Sequence, residues 1–175
     1  MKRVVAAMFV LCMLFGPASS DVAQQADKAA IKKVLSDIDA ATAKGDFASV
    51  AKFTNEKIIE ANGGLEKYTE VISNVMRSME AQGIKIISHA FDEPEEPFVV
   101  GEQVVSIVKE LTIMTKQNQK IEIIGYQLAT RKKSGGPWLI VGGGGLAQNP
   151  AALPLLVPGI PKDFKLPAYS MRVVP

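Results

Sequence analysis

The chain has 175 residues, with 20 Lys and Arg against 18 Asp and Glu, one histidine and one cysteine. Lys2 and Arg3 belong to a segment that reads as a removable leader; without them the count is 18 against 18. The concentrated basic face that nucleic acid requires is therefore excluded. A single histidine, and a cysteine confined to the leader, argue against a catalytic metal centre and against thiol or disulfide chemistry.

Lys2 and Arg3 open the chain, residues 4–15 are apolar, Pro17 breaks the run, and Ala18-Ser19-Ser20 offers small residues for cleavage. This is the pattern of a signal peptide over residues 1–20, and it predicts a periplasmic or extracellular protein. The apolar run is shorter than the ~20 residues that span a bilayer, so no stable membrane anchor is expected after cleavage. Cys12 leaves with the leader; Leu11 stands before it where lipidation wants a small residue. What remains suits one domain over residues 21–148 and a proline-rich tail over 149–175.

Residues 21–25 read as a loose leader to the first helix. From Asp27, Ala30, Ile31, Val34, Leu35, Ile38 and Ala41 fall on one helical stripe, and Gly45 is placed to end it. Asp46 caps a short helix carrying Phe47, Val50 and Ala51. A further turn or two runs through Ile58 and Ile59 to Asn62-Gly63-Gly64. A longer helix then puts Leu65, Tyr68, Ile72, Val75, Met76 and Met79 on one face and stops at Gly83. These stripes read as free of Asp, Glu and His. Met76 and Met79 serve either as core filler or as the soft lining of a cavity, because methionine adapts its shape.

The second half reads as antiparallel strands over 85–91, 98–100, 103–116, 121–133 and 138–141. The acidic loop at 92–97 lacks the aspartate–glycine pattern of a calcium site and reads as solvated. On the long strand, Val105, Ile107, Lys109, Leu111 and Ile113 share one face, and Val104, Ser106, Val108, Glu110, Thr112 and Met114 share the other. Gln117-Asn118-Gln119 makes a hairpin. The return strand divides into Glu122, Ile124, Tyr126, Leu128 and Thr130 against Ile121, Ile123, Gly125, Gln127 and Ala129. Gly125, in mid-strand, suggests a bend that would curl the sheet. The glycines at 142–145 have neither the lysine–serine pair nor the βαβ setting of a phosphate loop and read as a flexible corner, so no cofactor is implied. Six of the ten prolines lie beyond residue 149, among leucines; that tail is expected to cover an open end of the sheet or to make a subunit contact. Helices followed by a curled antiparallel meander give an α+β order.

Several corners occur together: Lys44-Gly45-Asp46, then Ala61-Asn62-Gly63-Gly64-Leu65-Glu66-Lys67, then Ala81-Gln82-Gly83-Ile84. A tryptophan-led strand at Trp138 and a proline-rich end with Lys162-Asp163-Phe164-Lys165-Leu166-Pro167 follow. The pattern resembles the nuclear transport factor 2-like superfamily, and is similar to its secreted bacterial members of unassigned function. The resemblance implies a cystatin-like cone, a curved antiparallel sheet packed on the N-terminal helices, with a pocket at its open end and a homodimer formed through the sheet. Candidate pocket residues are Tyr68, Met76, His89, Glu110, Met114, Ile124, Tyr126 and Trp138.

Two functional classes lead, and a third stands beside them. The first is non-enzymatic binding of a small, mainly apolar ligand, suited by many apolar strand residues and few polar ones. The second is an acid–base isomerase or cyclase with His89 or Glu110 as base and Tyr126 as hydroxyl donor. The third is a protein-interaction module.

Overall fold

The structure is a computed structural model that describes residues 18–174, with side chains from residue 23. The expected signal peptide therefore lies outside the described residues, apart from residues 18–20. No described helix is long and apolar enough to cross a membrane.

Helix α1 (Ala18–Ala43) is helical through residues 21–25 as well, where a loose leader was expected. Its stripe holds: Ile31, Leu35 and Ala41 are buried, with Val34 and Ile38 packed beside them. Gly45 takes a positive φ of 69°, which a side chain would resist, and turns the chain out of the helix. The Asp46 carboxylate accepts the Ser49 N–H at 3.1 Å and starts α2 (Phe47–Lys52). Asn55, 4% exposed, caps α3 (Glu56–Ala61) through the Lys57 N–H and donates its amide to Thr130 Oγ1 at 3.2 Å. One side chain thus closes a helix end and ties it to the sheet. Helix α4 (Leu65–Ala81) follows, and none of its residues is buried.

The sheet is antiparallel, curved and unclosed, with six strands: β1 (Ile84–Phe91), β2 (Phe98–Val100), β3 (Gln103–Lys116), β4 (Gln119–Lys132), β5 (Leu139–Gly142) and β6 (Ser170–Val174). The long hairpin β3–β4 is its centre. It turns through Gln117 and Asn118 at φ 48° and 69°, the double positive φ of a type I′ turn. Each flank is filled by two short strands: β1 and β2 along β3, β5 and β6 along β4. β6 has no counterpart among the strands expected from sequence.

Both faces of one half of the sheet are covered, which is why residues 104–108 of β3 are buried without a break. On one face α1 packs Ile31 and Leu35 against Val104, Val108, Ala129 and Ile140. On the other, the tail folds as α5 (Gly143–Gln148), a 3₁₀ turn (Pro150–Ala152) and α6 (Leu153–Leu156). There Leu146, Leu153, Val157 and Ile160 cover Val105, Ile107, Tyr126 and Leu128. Of the glycines read as a flexible corner, Gly142 ends β5 and the other three are instead the first turn of α5. A Cβ on Gly143 would lie 2.3 Å from the Tyr126 carbonyl oxygen, so glycine lets the helix lie directly on the strand.

The acidic loop at 92–97 keeps its four acidic residues exposed, as expected, but its backbone is docked on the sheet. Pro94 is fully buried, and the Asp92 and Glu95 amides donate to Lys109 and Ile107 carbonyls at 2.9 and 2.8 Å. Ser106 donates its hydroxyl to the Glu95 carbonyl at 2.7 Å. Lys32 pairs with Glu93, and Lys28 with Glu96, so α1 holds the loop from above.

Candidate functional site

In its other half the sheet is uncovered on the α1 side. Helix α4 packs chiefly on α2 and meets the sheet mainly where it turns into β1. Between them lies a cleft of about 620 Å³ walled by Phe47, Met76, Met79, Ile84 and Ile86. Asp39 and His89 also line it, together with Arg77, Glu80, Thr42 and Ser88.

Three elements bring Asp39, His89 and Glu110 together. Asp39 lies on α1 two helical turns beyond Ile31 and one beyond Leu35, so the helix that buries those two aims Asp39 at the sheet. Sequence reasoning missed it by treating the stripe as free of acids; the four-residue spacing was the available signal. His89 owes its direction to a bulge in β1. The register slips between Ile86 and Ser88, so Ile86 opposite Met114 and His89 opposite Thr112 face the same side. Simple alternation puts them on opposite faces. Glu110 rises from β3 opposite Gly125, and a Cβ there would meet Glu110 Oε1 at 2.9 Å. Gly125 therefore makes room for this carboxylate and for the Tyr169 ring, whose Cδ2 would lie 3.3 Å from the same Cβ.

His89 Nδ1 lies 2.9 Å from Asp39 Oδ1, and Nε2 lies 3.0 Å from Glu110 Oε2. Gln127 donates its amide to that same Glu110 oxygen at 2.6 Å. Between two ionised carboxylates, which only accept hydrogen bonds, both ring nitrogens would donate, and the geometry therefore favours the imidazolium form. Burial works against the charge on His89 and is the largest single influence. The Glu110 hydrogen bond and the Asp39 charge and hydrogen bond together outweigh it, raising the pKa above its ordinary 6.5. The ring packs on Phe91 with centroids 4.3 Å apart.

In that form His89 has no lone pair with which to act as a base; the neutral ring, reached as pH rises, has one. Glu110 is 10% exposed and Asp39 38%, so Asp39 is the member most open to the cleft.

Of the candidate residues, the structure brings Met76, His89, Glu110 and Met114 to this side of the sheet. Tyr68 is half-buried on α4, outside the cleft wall. Ile124 and Tyr126 belong to the opposite face, Ile124 43% exposed and Tyr126 1% exposed beneath the tail. Tyr126 therefore cannot serve as a hydroxyl donor beside His89 or Glu110. Trp138 is buried in the α1 core, with the Arg131 guanidinium 5.1 Å from its ring centroid and Asp27 paired to that arginine.

Fold and site together define an α+β protein with an open, largely apolar cleft lined in part by a histidine held between two carboxylates. Comparison with protein-family models, with curated proteins and with solved structures found no match in any of the three.

Proposed function

We propose that the chain is an exported, nuclear transport factor 2-like module of cystatin-like form that binds a small, mainly apolar ligand in the cleft. The observation that carries this reading is the unfilled space itself: apolar side chains of α4 and β1 line a volume of about 620 Å³ that no part of the described chain fills. Such a volume, mostly apolar with a few orienting polar groups, fits the character of small-molecule sites. Helix α4 supports it, because it turns Met76 and Met79 into the cleft and none of its residues is buried. The ligand's apolar body lies along Met76, Met79 and Ile86, and its polar group meets Asp39.

Native mass spectrometry of the exported protein tests the reading, with a retained molecule of a few hundred daltons expected. The same spectrum gives the subunit count for the homodimer the resemblance implies. N-terminal sequencing gives the cleavage position, expected after Ser20. No retained mass, and no rise in Tm across a broad panel of lipids and metabolites, would refute ligand binding. An acid–base enzyme is the second reading, supported by the Asp39–His89–Glu110 cluster. Turnover abolished by Glu110→Gln while binding persists would favour it.

A further inference from the structure

A second hollow lies on the opposite face of the sheet, beneath the tail. Its volume is about 320 Å³, and Leu146, Leu153, Ile160, Phe164 and Leu166 form its apolar wall. Tyr126 reaches it from β4. The inner part of that ring is covered by α5, since a Cβ on Gly143 would lie 2.9 Å from both Cδ atoms. What remains to face the hollow is the far end of the ring, with its hydroxyl.

That hydroxyl makes no hydrogen bond to a described residue, and it is not among the described side-chain atoms buried without a partner, so the little exposure Tyr126 keeps includes the hydroxyl. An occupant that displaced water from the hollow would leave the hydroxyl unpartnered, which is costly unless the occupant brings a partner of its own. Burial also raises the phenol's pKa, so it keeps its proton and remains a donor.

The wall narrows what could meet it. Pro150, Pro154, Pro161 and Pro167 line the hollow and carry no N–H. The other polar side chain is Lys162, whose ammonium has only donors to offer. An occupant must therefore be apolar over most of its surface and bring an acceptor oxygen.

We propose that this hollow is a second ligand site, separate from the cleft, for a small apolar molecule bearing a carbonyl or carboxylate oxygen that accepts the Tyr126 hydroxyl. Lys162 adds a charge contact when that oxygen belongs to a carboxylate.

The test uses the full chain with octanoate, methyl octanoate and octane as probes, read by titration calorimetry and by NMR shifts. Tyr126→Phe deletes only the unpartnered hydroxyl, so it should leave Tm unchanged and weaken both oxygen-bearing probes by about fivefold, with octane unaffected. Ala147→Phe, on the rim of this hollow, should block all three, while Ala43→Phe, on the rim of the cleft, should block none. Octanoate binding alone assigns the carboxylate and Lys162; binding of both oxygen-bearing probes assigns a neutral carbonyl. Native affinity in both Tyr126→Phe and Ala147→Phe overturns the proposal, as does loss confined to Ala43→Phe or no saturable binding of any probe. The cleft stands or falls separately, on ligand retention sensitive to Ala43→Phe.

Discussion

His89→Ala at pH 5.5 is the perturbation that tests the site most directly. The Glu110 end of the cluster is almost enclosed, with a 3.0 Å contact and a carboxylate 10% exposed. A charge-assisted bond in that setting contributes about 1.5–3 kcal/mol. The Asp39 end, at 2.9 Å but 38% exposed, is screened by solvent and contributes about 0–1 kcal/mol. The substitution should therefore cost about 2–4 kcal/mol, a fall in Tm on the order of 10 °C. The cost should also depend on pH in one direction. The folded pKa is raised, so between the unfolded value near 6.5 and the folded value the native state binds more protons than the unfolded one. Stability from His89 is then complete below the unfolded pKa and lost as pH rises through the folded pKa. This is the only histidine in the chain, so the comparison reads a single side chain, and the terminal amine cancels between the two proteins. Urea denaturation of native and His89→Ala proteins from pH 5.5 to 9 provides the measurement. A difference that stays flat, or grows, with rising pH would mean that the ring is neutral in the folded protein and the imidazolium assignment is wrong.

Truncation after Gln148 removes Leu153, Leu156, Val157 and Ile160, all at most 8% exposed, together with β6. It should abolish cooperative unfolding followed by circular dichroism; a cooperatively folding remainder with only an altered subunit count would instead make the tail an assembly device. Gly143→Ala sets a methyl 2.3 Å from a backbone oxygen and should destabilise by about 2 kcal/mol, despite the better helix propensity of alanine. Chemical denaturation with an unchanged m-value checks it, and native-like stability would show that α5 does not bear on Tyr126 as described.

Local chemistry was readable where a single residue or a short period dictates the outcome. Gly45 and Gly83 take φ of 69° and 70°, as helix-ending glycines should, and Gln117-Asn118 turns the hairpin. The two-residue alternation of β3 and β4 divided their side chains correctly between two faces. Alternation failed in β1, because a bulge inserts one residue without marking the sequence and so redirects His89. Composition put the four acids of the loop at 92–97 in solvent, where they lie, but carried no sign that Glu93 and Glu96 pair with Lys32 and Lys28 on a helix far along the chain.

The sequence by itself determined the four helices before the sheet, the central hairpin, its two faces and the α+β order, because capping, positive φ and side-chain period act within a few residues. Only the tertiary structure decided which face became the cleft, that Asp39 and Glu110 share one histidine, that the tail seals Tyr126 and that β6 completes the sheet. Each of these joins segments dozens of residues apart, and periodicity reports which way a side chain points but not what it will meet.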